Sequence, residues 1–163
     1  MTDFAALLHA LAHAGVEHIL VGGAAATAHG SARLTLDLDV VYRRTLENLA
    51  RLVDALAAHH PYLRGAPPGL PFRWDAETLR RGLNFTLTTD LGPIDVLGEI
   101  AGGGGYEDLL PYSESLAPFG IVCRCLSLER LIQVKRAAGR PKDLEAIAEL
   151  EVIAEERRKL SDA

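Results

Sequence analysis

Residues 21–42 constrain the fold of this chain more than any other segment. An apolar strand, His18–Val21, runs into the pair Gly22 and Gly23, and a short helical run follows over residues 24–29. A second strand then carries two acids, Asp37 and Asp39. Because glycine lets the main chain turn where a side chain would obstruct it, the segment predicts two strands joined by a tight turn and a short helix. The chain is therefore expected to mix helices and strands in an α+β (mixed α/β) fold.

The spacing of Asp37 and Asp39 predicts a site for a divalent metal. Residues two apart in a strand point to the same face, so the two carboxylates share one small space, while Leu36, Leu38 and Val40 take the opposite face. Like charges that close repel each other unless a cation lies between them. Mg²⁺ (or Mn²⁺) is the expected cation, because it prefers hard oxygen ligands from one or two carboxylates and from substrate phosphates. The alternative is a solvated sheet face that binds nothing.

The glycine pair supplies the second half of such a site. Gly22 and Gly23 end a strand and open a helical run, where bare main-chain N–H groups and the helix dipole can receive phosphate. Metal and phosphate would then meet at one end of the sheet. The alternative is that the two glycines form only a turn.

Composition indicates one globular domain over residues 1–163, with a core over about residues 15–100 and a C-terminal helical part over about 127–160. The chain is 48% hydrophobic and 24% charged. We expect a cytoplasmic protein with no membrane partner, because no apolar run is long enough to span a bilayer and no signal peptide is visible. The net charge of −5 argues against a broadly basic nucleic-acid-binding surface but leaves a local basic groove open. Cys123 and Cys125 are expected to be unpaired buried thiols.

Helical periodicity and capping residues predict five helices besides the short run after the glycine pair. The first covers residues 3–14, the next follows Thr45, and a short one runs from Asp75 to Arg81. Two more follow Ser127, with Gly139 ending the first and Pro141 opening the second. The helix after Thr45 has an apolar stripe of Leu46, Leu49, Val53 and Leu56. Residues 61–74 predict a loop and leave a short edge strand within it open, and residues 102–105, all glycine, predict a flexible surface loop.

A third acid, Asp95, lies in a predicted hairpin. Residues 84–97 form two strand-like runs separated by a tight turn at residues 90–92. Asp95 stands between two apolar residues, so it faces one side of the sheet while its neighbours enter the core. From an adjacent strand it could join Asp37 and Asp39. The alternative is a charge on an exposed sheet face.

Three motifs occur in a fixed order that covers most of residues 18–150. The first is Gly22-Gly23 followed, after thirteen residues, by Asp37-Leu38-Asp39, with His29, Arg33 and Thr35 between them. The second is Ile94-Asp95-Val96. The third, Lys135 to Asp143, has the spacing Lys-x4-Arg-x-Lys-Asp. Together they resemble the nucleotidyltransferases of the DNA polymerase β type, and among these the small bacterial group related to the AbiEii abortive-infection toxins.

The resemblance implies a mixed β-sheet flanked by helices and a transfer reaction on a nucleoside triphosphate. A nucleoside monophosphate would pass to a hydroxyl acceptor on RNA, protein or a small molecule, with release of pyrophosphate. Asp37 and Asp39 would hold two Mg²⁺ ions, and Asp95 would bind only the ion that activates the acceptor and help to take its proton. The residues implied in nucleotide binding are Gly22, Gly23, Arg33, Thr35, Lys135, Arg140, Lys142 and Asp143.

Several of these roles have alternatives. Lys135 and Arg140 would reach the β- and γ-phosphates, with Asp143 orienting one of them, although cations at a helix end often serve solubility alone. Arg33 and Thr35 would contact phosphate or acceptor, or stabilise the turn. The chain also departs from the pattern, because many members have Ser where it has Gly23, and because the branch often has an acid where it has Ala146. Larger relatives append a helical domain that grips the acceptor, so the acceptor cannot be read from this sequence.

Three functions compete at this point. An active, metal-dependent nucleotidyltransferase is the leading hypothesis, because a protein that only binds has little reason to keep three mutually repelling carboxylates. A non-catalytic nucleotide-binding or partner-binding module, such as one component of a toxin–antitoxin pair, is the alternative that the small size favours. A phosphohydrolase would leave the glycine turn unexplained.

Overall fold

The protein is built on a seven-stranded mixed sheet, seen here in a computed structural model that describes residues 1–162. The strands in chain order are β1 (His18–Val21), β2 (Leu38–Tyr42), β3 (Tyr62–Leu63), β4 (Asn84–Thr88), β5 (Ile94–Leu97), β6 (Glu99–Ile100), β7 (Gly104–Gly105), β8 (Ser113–Leu116) and β9 (Cys123–Leu126). The order across the large sheet is β3-β4-β5-β2-β1-β9-β8, and β6 and β7 pair separately. Strand β2 runs parallel to β5, and β1 runs parallel to β9. The other pairs are antiparallel, so the predicted mixed sheet is confirmed.

Seven helices accompany the sheet within residues 1–162. They are α1 (Phe4–His13), α2 (Gly22–Ala28), α3 (Leu46–Ala57), α4 (Ala76–Arg81), α5 (Tyr106–Leu109), α6 (Leu128–Ala138) and α7 (Pro141–Ser161). Helix α2 contacts β1, β2, β9 and α6, while α6 and α7 pack together. Among the helices of the described residues, none combines the length and the apolar character needed to cross a membrane.

The predicted helix boundaries follow from side-chain caps. The side chains of Thr45, Asp75 and Ser127 each accept a hydrogen bond from the main-chain N–H three residues later, at the starts of α3, α4 and α6. Gly139 ends α6 in the left-handed conformation with φ 65°, and Pro141 opens α7. The short turn between α6 and α7 is therefore encoded locally.

Burial corrects two predictions about which leucines face the core. Leu38 and Val40 are fully buried as predicted, but Leu36 is 68% exposed because β2 begins only at Leu38. In α3 the buried stripe includes Leu49, Leu52 and Leu56, whereas Leu46 is exposed at the first position of the helix. A stripe that begins one turn later than predicted therefore packs α3 against the core.

The glycine run at residues 102–105 is not wholly a loop, contrary to the prediction. Gly104 and Gly105 form β7 and pair with Ile100 and Glu99 of β6 in a small hairpin. Gly104 has φ 80°, and a Cβ there would lie 2.4 Å from the Asp108 carboxylate. The glycines therefore serve a compact turn. Residues 61–74, for which the sequence left a short edge strand open, contain β3 at the edge of the large sheet.

The two cysteines are free and buried, as expected. Burial raises the pKa of Cys123 to about 11. It also raises the pKa of Cys125 to about 12, with smaller contributions from Cys123 and Glu114. Both thiols are therefore protonated at neutral pH and belong to the core.

Asn48 ties the start of α3 to the ends of the two central strands. Its side-chain oxygen accepts a hydrogen bond from the Glu17 N–H at 2.7 Å, and its amide nitrogen donates to the Glu17 carbonyl at 2.9 Å. The same nitrogen donates to the Arg43 carbonyl at 2.7 Å. Since Glu17 precedes β1 and Arg43 follows β2, this fully buried side chain fixes the pairing of the strands that lead to the acids.

We expect Asn48→Ala to lower the free energy of unfolding by about 2–4 kcal/mol, because it leaves buried main-chain groups without partners. Urea unfolding followed by circular dichroism measures the change. Glu47→Ala, on the exposed side of the same helical turn, serves as the control and should cost less than about 1 kcal/mol. Equal effects of the two substitutions would contradict this role for Asn48.

Candidate active site

Three carboxylates meet at one end of the β2–β5 pair. Asp39 of β2 lies directly opposite Asp95 of β5 in the parallel register, and Asp37 immediately precedes β2. One oxygen from each of the three side chains lies within 4.8 Å of the other two. The structure therefore brings together all three acids that the sequence singles out.

The environment of Asp39 strongly disfavours its charged form. Burial raises its pKa to about 7, with further contributions from Asp95 and Asp37, while Lys135 acts in the opposite direction. Its Oδ1 atom is buried and has no hydrogen-bond partner among residues 1–162. A buried carboxylate oxygen without a partner is costly, and a hard divalent cation would satisfy it. The donor set therefore fits Mg²⁺ or Mn²⁺.

The two glycines are required by what lies against them. Gly22 has φ 64°, and a Cβ there would lie 2.2 Å from Oδ2 of Asp39. At Gly23 a Cβ would lie 2.5 Å from Oγ1 of Thr35. Side chains at these positions would therefore displace the acid or the threonine. The Thr35 hydroxyl occupies the space that a side chain at position 23 would need.

A cavity of about 320 Å³ opens beside the acids. Its lining includes Asp37, Asp39 and every residue that the resemblance implied for nucleotide binding. These are Gly22, Gly23, Arg33, Thr35, Lys135, Arg140, Lys142 and Asp143. Asp95 is outside this lining and reaches the site only through its contact with the other two acids. Residues more than a hundred positions apart in the sequence thus share one concave surface.

The cations of this cavity come from the junction of α6 and α7. Burial lowers the pKa of Lys135, although Asp143 and Asp39 oppose the shift. Arg140 donates through Nε to Oδ2 of Asp143 at 2.7 Å and through Nη2 to Oδ1 at 3.2 Å. Burial alone would raise the pKa of Asp143, but the hydrogen bonds and charge of Arg140 outweigh it and the net shift is downward. The Asp143 side chain is only 4% exposed, so it holds the guanidinium in place.

A second cavity of about 320 Å³ also borders Asp39. It shares Gly22, Lys135 and Arg140 with the first, but Leu97, Leu131 and Val134 form much of its wall. Asp39 thus adjoins both a space rich in cations and a more apolar space. A substrate with a charged tail and an apolar body would match this division.

The loop that carries Arg33 and Thr35 is fastened to α7. The Glu149 carboxylate accepts hydrogen bonds from the Ser31 hydroxyl and from the Ala32 N–H. Arg33 lies at the cavity rim with Nη2 3.4 Å from Oε2 of Glu145. The loop therefore has a structural tie to α7 as well as a place at the cavity. Nothing in the sequence pattern had pointed to Glu149.

His29, which is part of the first motif, has a structural place. It is buried, and its Nε2 donates to the Leu126 carbonyl at 2.7 Å. This contact links the end of α2 to the end of β9. The hydrogen bond therefore holds the C-terminal end of α2, the helix that begins at the glycine pair.

Arg64 contacts the acids and was not expected from the sequence. Its Nη2 lies 2.8 Å from Oδ1 of Asp95, and its Nη1 lies 3.6 Å from Oδ2 of Asp37. Arg64 directly follows β3, in a segment whose structure the sequence did not decide. An arginine in such a segment gives no sign of which strands or side chains it will contact in the folded protein.

No family model matches this chain, and no curated protein matches it either. The function is therefore argued from the geometry of the site.

We expect Asp39→Asn to stabilise the metal-free protein at pH 8. The folded-state pKa is about 7 and the ordinary value is 3.8, so ionisation costs folding stability increasingly as the pH rises from about 4 to 7. Asparagine removes that cost, and the gain should be on the order of a few kcal/mol, because one pKa unit corresponds to about 1.4 kcal/mol. Thermal unfolding in EDTA at pH 5 and pH 8 tests this, and the gain must be larger at pH 8.

The same experiment with Mg²⁺ or Mn²⁺ tests the metal site. A ligand that binds only the folded state raises the melting temperature, so the ions should stabilise the native protein and leave Asp39→Asn unchanged. Equal stabilisation of both proteins would show that the ions bind elsewhere. If Asp39→Asn stabilises the protein equally at pH 5 and pH 8, the raised pKa of Asp39 is contradicted.

We expect Gly22→Ala to weaken Mn²⁺ binding by about tenfold or more, because the new methyl group displaces the Asp39 carboxylate that would ligate the ion. Electron paramagnetic resonance of free Mn²⁺ measures the affinity. Gly30→Ala is the matched control, since Gly30 also has positive φ, 108°, but a Cβ there would meet no atom within 4 Å. Wild-type affinity in Gly22→Ala would refute the steric argument.

Proposed function

We propose that this protein is a metal-dependent nucleotidyltransferase with the fold of the DNA polymerase β type. It would move a nucleoside monophosphate from a nucleoside triphosphate to a hydroxyl acceptor on RNA, protein or a small molecule. The observation that supports this most is the convergence of Asp37, Asp39 and Asp95 within 4.8 Å, beside a cavity lined by a glycine pair and several cations. A simple hydrolytic metal site would not need that cavity.

The acids have separate tasks in this proposal. Asp37 and Asp39 would hold both metal ions, whereas Asp95 would ligate only the ion on the acceptor side. Mg²⁺ or Mn²⁺, when bound, supplies positive charge that activates the acceptor oxygen and stabilises the departing pyrophosphate. The unpartnered Oδ1 of Asp39 supports its place as a ligand shared between the two ions.

The cavity residues would bind the triphosphate. Gly22 and Gly23 line the cavity at the start of α2, so their main-chain N–H groups would donate to phosphate. Lys135 and Arg140 would neutralise the β- and γ-phosphates, and the fixed guanidinium of Arg140 presents two donors in one plane. Thr35 would donate its hydroxyl from the position beside Gly23. Arg33 and Lys142 at the cavity would add charge toward its opening.

The transfer needs no reactant besides the nucleoside triphosphate and the acceptor hydroxyl. The acceptor oxygen forms a bond to the α-phosphorus, and the bond from that phosphorus to the oxygen bridging the β-phosphate breaks. The electron pair leaves with pyrophosphate. The proton of the acceptor hydroxyl passes to Asp95, which lies in register with Asp39 on the neighbouring strand.

A second candidate function is a partner-binding module, such as one half of a toxin–antitoxin pair. Leu34 and Leu36 favour it, because they line the cavity mouth and are 89% and 68% exposed. Large apolar side chains in water beside a cavity are typical of contact surfaces. The two functions are compatible if the partner is also the acceptor.

Incubation with α-labelled nucleoside triphosphates tests the proposal. The purified protein is combined with Mg²⁺ or Mn²⁺ and, as acceptors, cellular RNA or cell lysate. We expect label to enter one acceptor class and Asp37→Ala/Asp39→Ala to reduce the transfer at least about a hundredfold, since those carboxylates hold the transition-state charge through the metals. Asp54→Asn, an exposed acid on α3, is the matched control and should transfer label normally.

Two outcomes would change the conclusion. Equal labelling by the double variant would mean that the acids are not the site. Mg²⁺-dependent protection of the folded protein by a nucleotide, with no transfer to any acceptor, would favour the binding module.

A further inference from the structure

Arg64 places a built-in cation against the acids of the site. Its Nη2 donates to Oδ1 of Asp95 at 2.8 Å, and its Nη1 faces Oδ2 of Asp37 at 3.6 Å. The ion pairs of Arg64 do not include Asp39. The guanidinium thus neutralises one edge of the cluster and forms no ion pair at the other edge, where the charge of Lys135 acts on Asp39.

The main chain of the sheet edge holds Arg64 in this position. Its N–H donates to the Thr86 carbonyl at 2.9 Å, and its Nη2 also donates to the Leu87 carbonyl at 2.7 Å. Thr86 lies opposite Asp95 in the antiparallel β4–β5 register. Strand β4, next to the edge strand β3, therefore aims the guanidinium at Asp95, the acid that does not line the first cavity.

The bonding of this guanidinium is incomplete. Its Nε is buried and has no hydrogen-bond partner among residues 1–162. The contact of Nη1 with Asp37 is longer than an ordinary hydrogen bond. An arginine offers five N–H donors, so only part of its capacity is used here. An arrangement of this kind can be exchanged for a divalent ion at lower cost than a fully satisfied bidentate pair.

We propose that Arg64 occupies the Asp95 carboxylate that the acceptor-side metal ion needs, so that this ion binds only when Arg64 gives way. The inference rests on the proposed function and specifies how its site is regulated. One ion would bind first through Asp39, which has no ion pair with Arg64, and Asp37, which Arg64 contacts only at the longer distance of 3.6 Å. The second would replace the guanidinium on Asp95.

Charge explains what would drive the exchange. A bound triphosphate adds several negative charges beside Asp37 and Asp39, which raises the attraction for a second divalent ion more than for a single positive charge. Arrival of the nucleotide would therefore favour the ion over the guanidinium. The acceptor-activating half of the site would assemble only after the nucleotide is present, which limits activation of water in the empty enzyme.

Counting Mn²⁺ ions by electron paramagnetic resonance and calorimetry, without nucleotide, tests the inference. We expect one ion to bind the native protein well and a second to bind weakly. Arg64→Gln should tighten the second ion by about tenfold or more, because it removes a unit charge a few ångströms away. Arg64→Met should do the same, and Arg64→Lys, which keeps the charge, should resemble the native protein. Arg73→Gln, an exposed arginine in the same segment, is the matched control.

The direction in which Arg64 substitutions change the affinity for the second Mn²⁺ ion separates this role from a structural one. If Arg64 only holds Asp95 in position, its removal will weaken or leave unchanged the second ion, and either result overturns the inference. Thermal unfolding verifies that each variant is folded, and Arg64→Met replaces Arg64→Gln if the latter is not. If neither native protein nor Arg64 variants bind Mn²⁺, or if Asp39→Asn does not reduce binding, the proposed metal site itself fails.

Discussion

Electrostatic repulsion among Asp37, Asp39 and Asp95 is the constraint around which the rest of this structure is arranged. Two neighbouring parallel strands hold the acids in register, so the sheet pairing that stabilises the fold also forces like charges together. Burial of its carboxylate raises the pKa of Asp39, and the repulsion from Asp95 and Asp37 raises it further. The surrounding cations, Arg64 on one side and Lys135 on another, reduce the repulsion without removing it.

The remainder of the site is delivered by elements that the sequence separates widely. The turn between α6 and α7 brings Lys135 and Arg140 to the glycine pair, and Asp143 fixes Arg140 by hydrogen bonds at the start of α7. Glu149 of α7 fastens the loop that leads into β2. Helix α7 therefore holds both Arg140 and the loop that leads into β2, and a shift of this helix would move the two together.

Thr35 and Gly23 depend on each other sterically. A Cβ at position 23 would lie 2.5 Å from the Thr35 hydroxyl oxygen, so a side chain there would displace Thr35. The Thr35 hydroxyl donates to the Asp37 carbonyl at 3.3 Å, which ties it to the residue before β2. The glycine at position 23 is thus coupled to the residue at position 35, and both line the cavity beside the acids.

The sequence alone determined the features that depend on local periodicity and on short-range chemistry. Strand alternation placed Asp39 and Asp95 on a common face, and capping residues set the starts of α3, α4 and α6, with Gly139 setting the end of α6. The environments of Leu36, Leu46 and the glycine run were predicted wrongly, because the start of a strand and the depth of a helix depend on what packs against them. Only the tertiary structure decided that Arg64 borders Asp95 and that Thr35 fills the space beside Gly23. Both contacts depend on how the chain packs in three dimensions, and their geometry follows from strand order across the whole sheet, which no local pattern encodes.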